Sequence, residues 1–141
     1  MIQRIQTVYL LVGAGCVGSV YLFENLWTGP VAAESAWFVP VTTVLFGLSV
    51  VGALAAIFLF GDRQRQRTVV LVLRYVTMVG IVSLFGGRYI AETLPFQISV
   101  QSGLGAWLSL FLSILGYVLF SMARRRIERD IELIRSMDRL R

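Results

Sequence analysis

Four long apolar runs constrain the fold of this chain more than any other feature of its sequence. They cover roughly residues 5–27, 38–60, 69–90 and 104–123, and each holds 20 to 23 residues. At a rise of about 1.5 Å per residue, helices of this length cross the hydrocarbon core of a bilayer. Lipid offers no partner to backbone amides, and no run alternates like a barrel strand. The sequence therefore predicts an all-α membrane protein with four transmembrane helices in a bundle.

The overall composition excludes several other classes of protein. Hydrophobic residues make up 57% and charged residues 15% of the 141 residues, and the mean hydropathy is +0.76. Disordered chains are more polar than this, and a soluble fold of this size could not bury so much apolar surface. With no His and one Cys, an imidazole triad, a Cys/His zinc site and an intramolecular disulfide are excluded. We expect no enzyme, no cofactor, no metal site and no nucleic-acid partner.

The distribution of arginine predicts the orientation. All 13 basic residues are arginine, and most lie in the N-terminus, the connector 61–68 and the tail 124–141. The connectors 28–37 and 91–103 contain no arginine. Because positively charged segments stay in the cytoplasm, we expect both termini on the cytoplasmic side of the bacterial inner membrane. The chain then divides into a transmembrane domain, 1–123, and a cytoplasmic tail, 124–141.

Two segments leave alternatives open. The stretch 12–16 loosely resembles a lipoprotein cleavage box ending at Cys16, although the apolar run continues past it, which favours an uncleaved span. The connector 91–103 contains a partly alternating stretch, which suits either an interfacial segment or a short strand.

Three ionisable residues fall inside the predicted spans, where such groups indicate a functional site. Glu24 and Arg88 lie near one level and form a candidate ion pair between spans one and three, unless both reach to headgroups. Arg74 lies about a turn and a half inside span three, at a depth similar to that of Gln6. These two residues are candidate contacts for an anionic lipid or another anion. The alternatives for Arg74 are structural: its side chain reaches to a lipid phosphate at the membrane surface, or it contacts the tail.

Small residues recur at helical spacing in span four. Gly105, Ser109 and Ser113 are separated by steps of four residues, which places them on one helix face. In lipid, small residues allow helices to approach closely, so this stripe predicts helix packing. The alternative, a polar conduit lined by the serines, needs more volume than four helices enclose.

The tail 124–141 is predicted to be an amphipathic, arginine-rich helix. Ile127, Ile131 and Ile134 follow the i, i+4, i+7 spacing of one helix face, and oppositely charged residues recur three and four positions apart. We expect this apolar face to be buried against one of three surfaces, which are the membrane surface, the connector 61–68 and another protein.

Both ends of the chain carry a further pattern. Residues 1–11 (MIQRIQTVYLL) and 133–141 (LIRSMDRLR) resemble the signatures of a small membrane-protein family catalogued as domain of unknown function 4293, typical of Bacteroidota. The resemblance implies a cytoplasmic-membrane location and no particular activity. It also implies that Arg4, Gln6, Arg135, Asp138 and Arg139 belong to the patterned part of the molecule. Because both ends are expected on the cytoplasmic side, we predict that they form one candidate partner surface, which comprises Arg4, Arg135, Asp138 and Arg139 together with the three tail isoleucines.

Two functional hypotheses follow. The first is a non-catalytic accessory or assembly subunit whose spans dock beside a larger membrane complex and whose tail supplies the cytoplasmic contact. Self-association is the alternative to a larger complex as the partner. The second is a protein that binds or transports a lipid or small solute, with Arg74 near the inner leaflet.

Overall fold

Five α-helices make up the regular structure of the described residues. The computed structural model describes residues 2–24, 27, 29–91 and 100–138. The helices are α1 (Ile2–Gly18), α2 (Pro30–Glu34), α3 (Phe38–Phe58), α4 (Arg63–Ile90) and α5 (Val100–Asp138), with short 3-10 turns at Ser19–Leu22 and Leu59–Gly61. The predicted all-α architecture is confirmed.

The helix ends follow local chemistry as well as hydropathy. Helix α2 begins with Pro30, whose missing N–H is tolerated in a first turn. Helix α4 begins before the apolar run at residue 69, because the Asp62 side chain accepts a hydrogen bond from the Arg65 amide at 3.1 Å and caps the helix. The first helix is α-helical to Gly18 and continues as a 3-10 turn to Leu22, and Glu24 and Trp27 are again helical. The predicted strand or interfacial segment falls mainly on residues 92–99, outside the described residues.

Four of the helices are long and apolar enough to cross a membrane. Helix α1 packs against α3 and α5, and α4 also packs against α3 and α5, which closes a ring of four helices. Helix α5 has 39 residues, a length of about 58 Å, so it extends well beyond a hydrocarbon core of about 30 Å. The fourth span and the first part of the tail are therefore one continuous helix.

Glycines set the closest approaches between these helices. A Cβ added at Gly116 of α5 would lie 2.5 Å from Val17 Cγ2 and 3.1 Å from the Gly13 carbonyl oxygen of α1. On the other side of the ring, the Phe38 ring of α3 occupies the space that a Cβ at Gly87 of α4 would fill. Close packing of this kind is the main source of helix association in lipid.

The outer faces of the bundle are apolar. Only 28–33% of each span is buried inside the protein, and the exposed faces carry large hydrophobic side chains such as Leu11, Val44, Val82 and Phe111. Soluble monomers rarely expose a continuous apolar surface of this extent, whereas helices that contact lipid do.

Candidate functional site

Hydroxyl groups join α3 and α4 within the bundle. Thr42 Oγ1 lies 2.8 Å from Ser83 Oγ, and the Thr77 hydroxyl donates to Ser49 Oγ at 3.0 Å. All four residues are buried, and such polar pairs help to hold transmembrane helices together. Sequence reasoning missed these pairs, although the seven-residue spacing of Thr42 and Ser49 places both hydroxyls on one helix face.

An arginine column runs along the face of α4 that meets α5. Its members are separated by steps of four, seven and fourteen residues, all of which return to one side of an α-helix. Each contacts a polar side chain of α5. The pairs are Arg63 with Asp130, Arg67 with Glu128, Arg74 with Tyr117, and Arg88 with Ser109.

A buried polar cluster lies at the arginine-rich end of the bundle, the end that contains Arg63, Arg67 and Asp130. Gln6 Nε2 of α1 donates to Asp130 Oδ2 of α5 at 2.6 Å, and the Arg63 guanidinium of α4 lies 3.9 Å from the same oxygen. Gln6 and Asp130 are 5% and 6% exposed. Gln6 therefore points into the protein, and the cluster ties three helices together at a level where two of them begin.

Glu128 forms a second ionic cluster beside the first. It lies beyond the apolar run 104–123 and accepts hydrogen bonds from Arg67 Nε at 3.1 Å and from Arg124 Nε at 2.9 Å. Burial raises the pKa of the Glu128 carboxyl, but the hydrogen bonds and charges of Arg124 and Arg67 outweigh this effect, so its pKa lies below the usual value. Two guanidinium groups thus share one carboxylate.

Arg74 lies deeper in the bundle, between α4 and α5. Its Nη2 donates to the Tyr117 hydroxyl at 3.1 Å, and its Cζ lies 5.5 Å from the centroid of the Tyr117 ring. Its Nε is buried and finds no acceptor among the described residues. Tyr117 was not recognised from the sequence, because nothing distinguishes it there from the other aromatic residues of the spans.

The remaining intramembrane candidates lie at the opposite end. Arg88 is 5% exposed and donates to Ser109 Oγ at 3.1 Å, whereas Glu24 is exposed. The ion pair between Glu24 and Arg88 stays a prediction. Within the predicted packing stripe, Ser109 and Ser113 are fully buried, and a Cβ at Gly105 would meet Phe23 Cδ1 at 3.5 Å, so the stripe faces other residues of the chain.

The apolar face of the tail is covered only in part. Ile127 is fully buried in the core, and Ile131 is half-buried against it, so the chain itself covers the first turns. Ile134 and Arg135 are exposed. Of the candidate partner surface, the side chains of Arg4, Asp138 and Arg139 lie outside the described residues.

The architecture and the polar contacts define a class of protein. Four packed helices with an apolar outer surface indicate a multi-pass helical membrane protein, and within the described residues no group of His, Cys, Asp and Glu is arranged to hold a metal ion. The chain belongs to the family described as Domain of unknown function (DUF4293), whose model matches residues 2–140. No curated protein and no solved structure matches the chain.

Proposed function

We propose that this protein is a non-catalytic accessory or assembly subunit of a larger complex in the bacterial cytoplasmic membrane. In this proposal the arginine-rich end faces the cytoplasm, in agreement with the positive-inside rule. The polar groups between α3 and α4 suit a structural role, because the hydroxyls of Thr42 and Ser83, and those of Ser49 and Thr77, pair across the two helices.

One observation carries the proposal, the exposed apolar end of α5. Leu133 and Met137 are 54% and 63% exposed, and Ile134 is exposed beside them. We call these three residues the tail patch. The charged side chains of Arg129, Glu132 and Arg135, on the other faces of the helix, are exposed as well. An amphipathic helix with an uncovered apolar face is typical of a segment that binds another protein.

The position of the tail patch favours a protein partner over the membrane surface. Helix α5 is unbroken from Val100 to Asp138, and the contact of Asp130 with Gln6 and Arg63 keeps its extension in line with the bundle. Met137 lies 14 residues past Ala123, or about 21 Å along the helix. The headgroup layer is only about 5–8 Å thick on each side, so the patch projects into water.

Introducing negative charge into the tail patch tests the accessory role. We expect tagged wild-type protein, extracted from its native membranes in mild detergent, to carry a partner at near-stoichiometric amounts. The double variant Leu133→Asp/Met137→Asp should lose that partner, because carboxylates in an apolar interface remain desolvated and unpaired. Both residues are exposed, so the melting temperature of the purified protein should not change. Quantitative mass spectrometry of the co-purified proteins measures the effect.

Arg125→Asp is the matched control, because it also changes the net charge by −2 and because Arg125 is exposed on α5 eight residues, or about 12 Å, before Leu133. This variant should retain the partner. The proposal is wrong if wild-type protein purifies alone, or if Arg125→Asp loses the partner as completely as the double variant.

A further inference from the structure

Arg74 carries a positive charge within an apolar span and has no acidic partner in the described part of the chain. It lies seven residues beyond Arg67 on α4, or about 10 Å deeper along the helix axis. Among the described residues, Arg63, Arg65, Arg67 and Arg124 form ion pairs, whereas Arg74 forms none. Placing a guanidinium within an apolar span costs free energy unless an anion or a polar group pairs with it.

The contacts of Arg74 leave most of its hydrogen-bonding capacity unused. Tyr117 Oη accepts one hydrogen bond from Nη2, and the buried Nε has no acceptor among the described residues. A guanidinium has five N–H donors in a planar fork, a geometry that matches the oxygens of a phosphate. The Tyr117 hydroxyl, which accepts from Arg74, still has its own proton to donate to an anion.

The charges along the seam between α4 and α5 also favour an anion. At its arginine-rich half, four guanidinium groups face two carboxylates, which leaves two positive charges uncompensated. The guanidinium groups are those of Arg63, Arg67, Arg74 and Arg124, and the carboxylates are those of Glu128 and Asp130.

The surface around the seam suits the acyl chains of a lipid. Tyr75 of α4 and Ile114 and Val118 of α5 are exposed and flank the Arg74–Tyr117 contact in sequence. Apolar side chains on both helices would contact the acyl chains of the lipid while the guanidinium contacts its headgroup. Long cationic side chains near a membrane interface extend their charged ends toward headgroups in the same way.

We propose that Arg74 and Tyr117 form a binding site for a phosphate group, which an anionic phospholipid of the leaflet at the arginine-rich end supplies, or which enters as a free anion. Arg74 binds the phosphate oxygens. Tyr117 positions the guanidinium and donates a hydrogen bond from its hydroxyl group to the phosphate. The excess positive charge of Arg67 and Arg124 attracts the anion. Gln6 is not part of the site, because its amide bonds to Asp130. The site is independent of the accessory role and of the tail patch.

Thermal melting of the full-length protein in lipid nanodiscs tests the site. Nanodiscs of phosphatidylglycerol should raise the melting temperature of wild-type protein above its value in phosphatidylcholine, and the amount of phosphatidylglycerol that remains bound after extraction should exceed that of phosphatidylcholine. Arg74→Gln should abolish the shift and lower the bound phosphatidylglycerol about tenfold or more, since a hydrogen-bonded charge contributes at least a factor of ten. Tyr117→Phe, which keeps the ring, should cause a smaller loss.

Arg65→Gln is the matched control, because Arg65 is on the same helix, is exposed and pairs with Asp62. It should behave like the wild type. A second arm adds inorganic phosphate, at constant ionic strength, to protein in phosphatidylcholine. A shift in that arm that depends on Arg74 identifies a free anion as the source, and a shift with phosphatidylglycerol alone identifies the lipid. The proposal is overturned if neither probe shifts the wild type, if Arg74→Gln responds like the wild type, or if Arg65→Gln loses the response equally.

Discussion

Replacing Gly87 with alanine is expected to lower the melting temperature of the purified protein, whereas the same replacement at Gly86 is not. A Cβ at Gly87 would overlap Cδ2 and Cε2 of the Phe38 ring, whereas a Cβ at Gly86 would meet no neighbouring side chain within 4 Å. Phe38 is fully buried, so its ring cannot move aside without displacing α3. Overpacking of this kind costs about 1–3 kcal/mol. Gly86→Ala should be neutral or slightly stabilising, because alanine favours the helix.

The origin of the effect at Gly87 is tested by removing the ring. Phe38→Ala is destabilising by itself, since it leaves a cavity. In that background Gly87→Ala should cost little or nothing further, because the atoms that it would overlap are gone. An equal loss from Gly87→Ala with and without the Phe38 ring would contradict the packing of α3 on α4 described above. Melting of the four proteins in one detergent measures the coupling.

Replacing Asp130 with alanine is expected to give the second large loss of stability. Asp130 accepts the 2.6 Å hydrogen bond of Gln6 and lies 3.9 Å from the Arg63 guanidinium. Its removal leaves a buried amide unpaired and a guanidinium without its counter-charge, at a cost of about 1.5–3 kcal/mol. The expected result is a lower melting temperature and increased proteolysis at the arginine-rich end, where α1, α4 and α5 meet.

Two further variants separate the parts of this effect. Asp130→Asn keeps an acceptor for Gln6 and removes the charge, so it should cost less than Asp130→Ala. Glu132→Ala removes an exposed carboxylate two residues away and should leave the melting temperature unchanged. If Glu132→Ala destabilises the protein as much as Asp130→Ala, the loss reflects the net charge of the tail, and the buried cluster does not tie the helices together as described.

The architecture of this chain could be predicted from the sequence because a single physical constraint dominates it. An apolar run long enough to cross a bilayer must form a helix, so the four runs predict four helices without knowledge of their contacts. The helix ends were harder to place, because hydropathy does not determine them. Helix α4 begins at Arg63 through the Asp62 cap, although the apolar run begins at residue 69. The cap is visible in the sequence, but it competes with the stronger apolar signal.

The candidate site could be predicted only in part. Arg74 stands out because a charge in an apolar run is rare, and Gln6 was noted for its depth, but their partners depend on how the helices are aligned. Gln6 and Asp130 are 124 positions apart, and no local pattern pairs them. Asp130 also lies among alternating arginines and acids, where i, i+4 pairing within the tail explains its charge equally well. The alignment of α1 and α4 with α5 brings these partners together.

Accessibility of the connections to a membrane-impermeant thiol reagent tests the central claim, that four spans place successive connections on opposite sides of the membrane. After Cys16→Ser removes the one native thiol, single cysteines replace Glu34, Arg65 and Ser136, which are all exposed. On whole cells the Glu34→Cys protein should be labelled, and the other two should be labelled only after the membrane is opened. Labelling of Glu34→Cys and Arg65→Cys from the same side would contradict the four-span account.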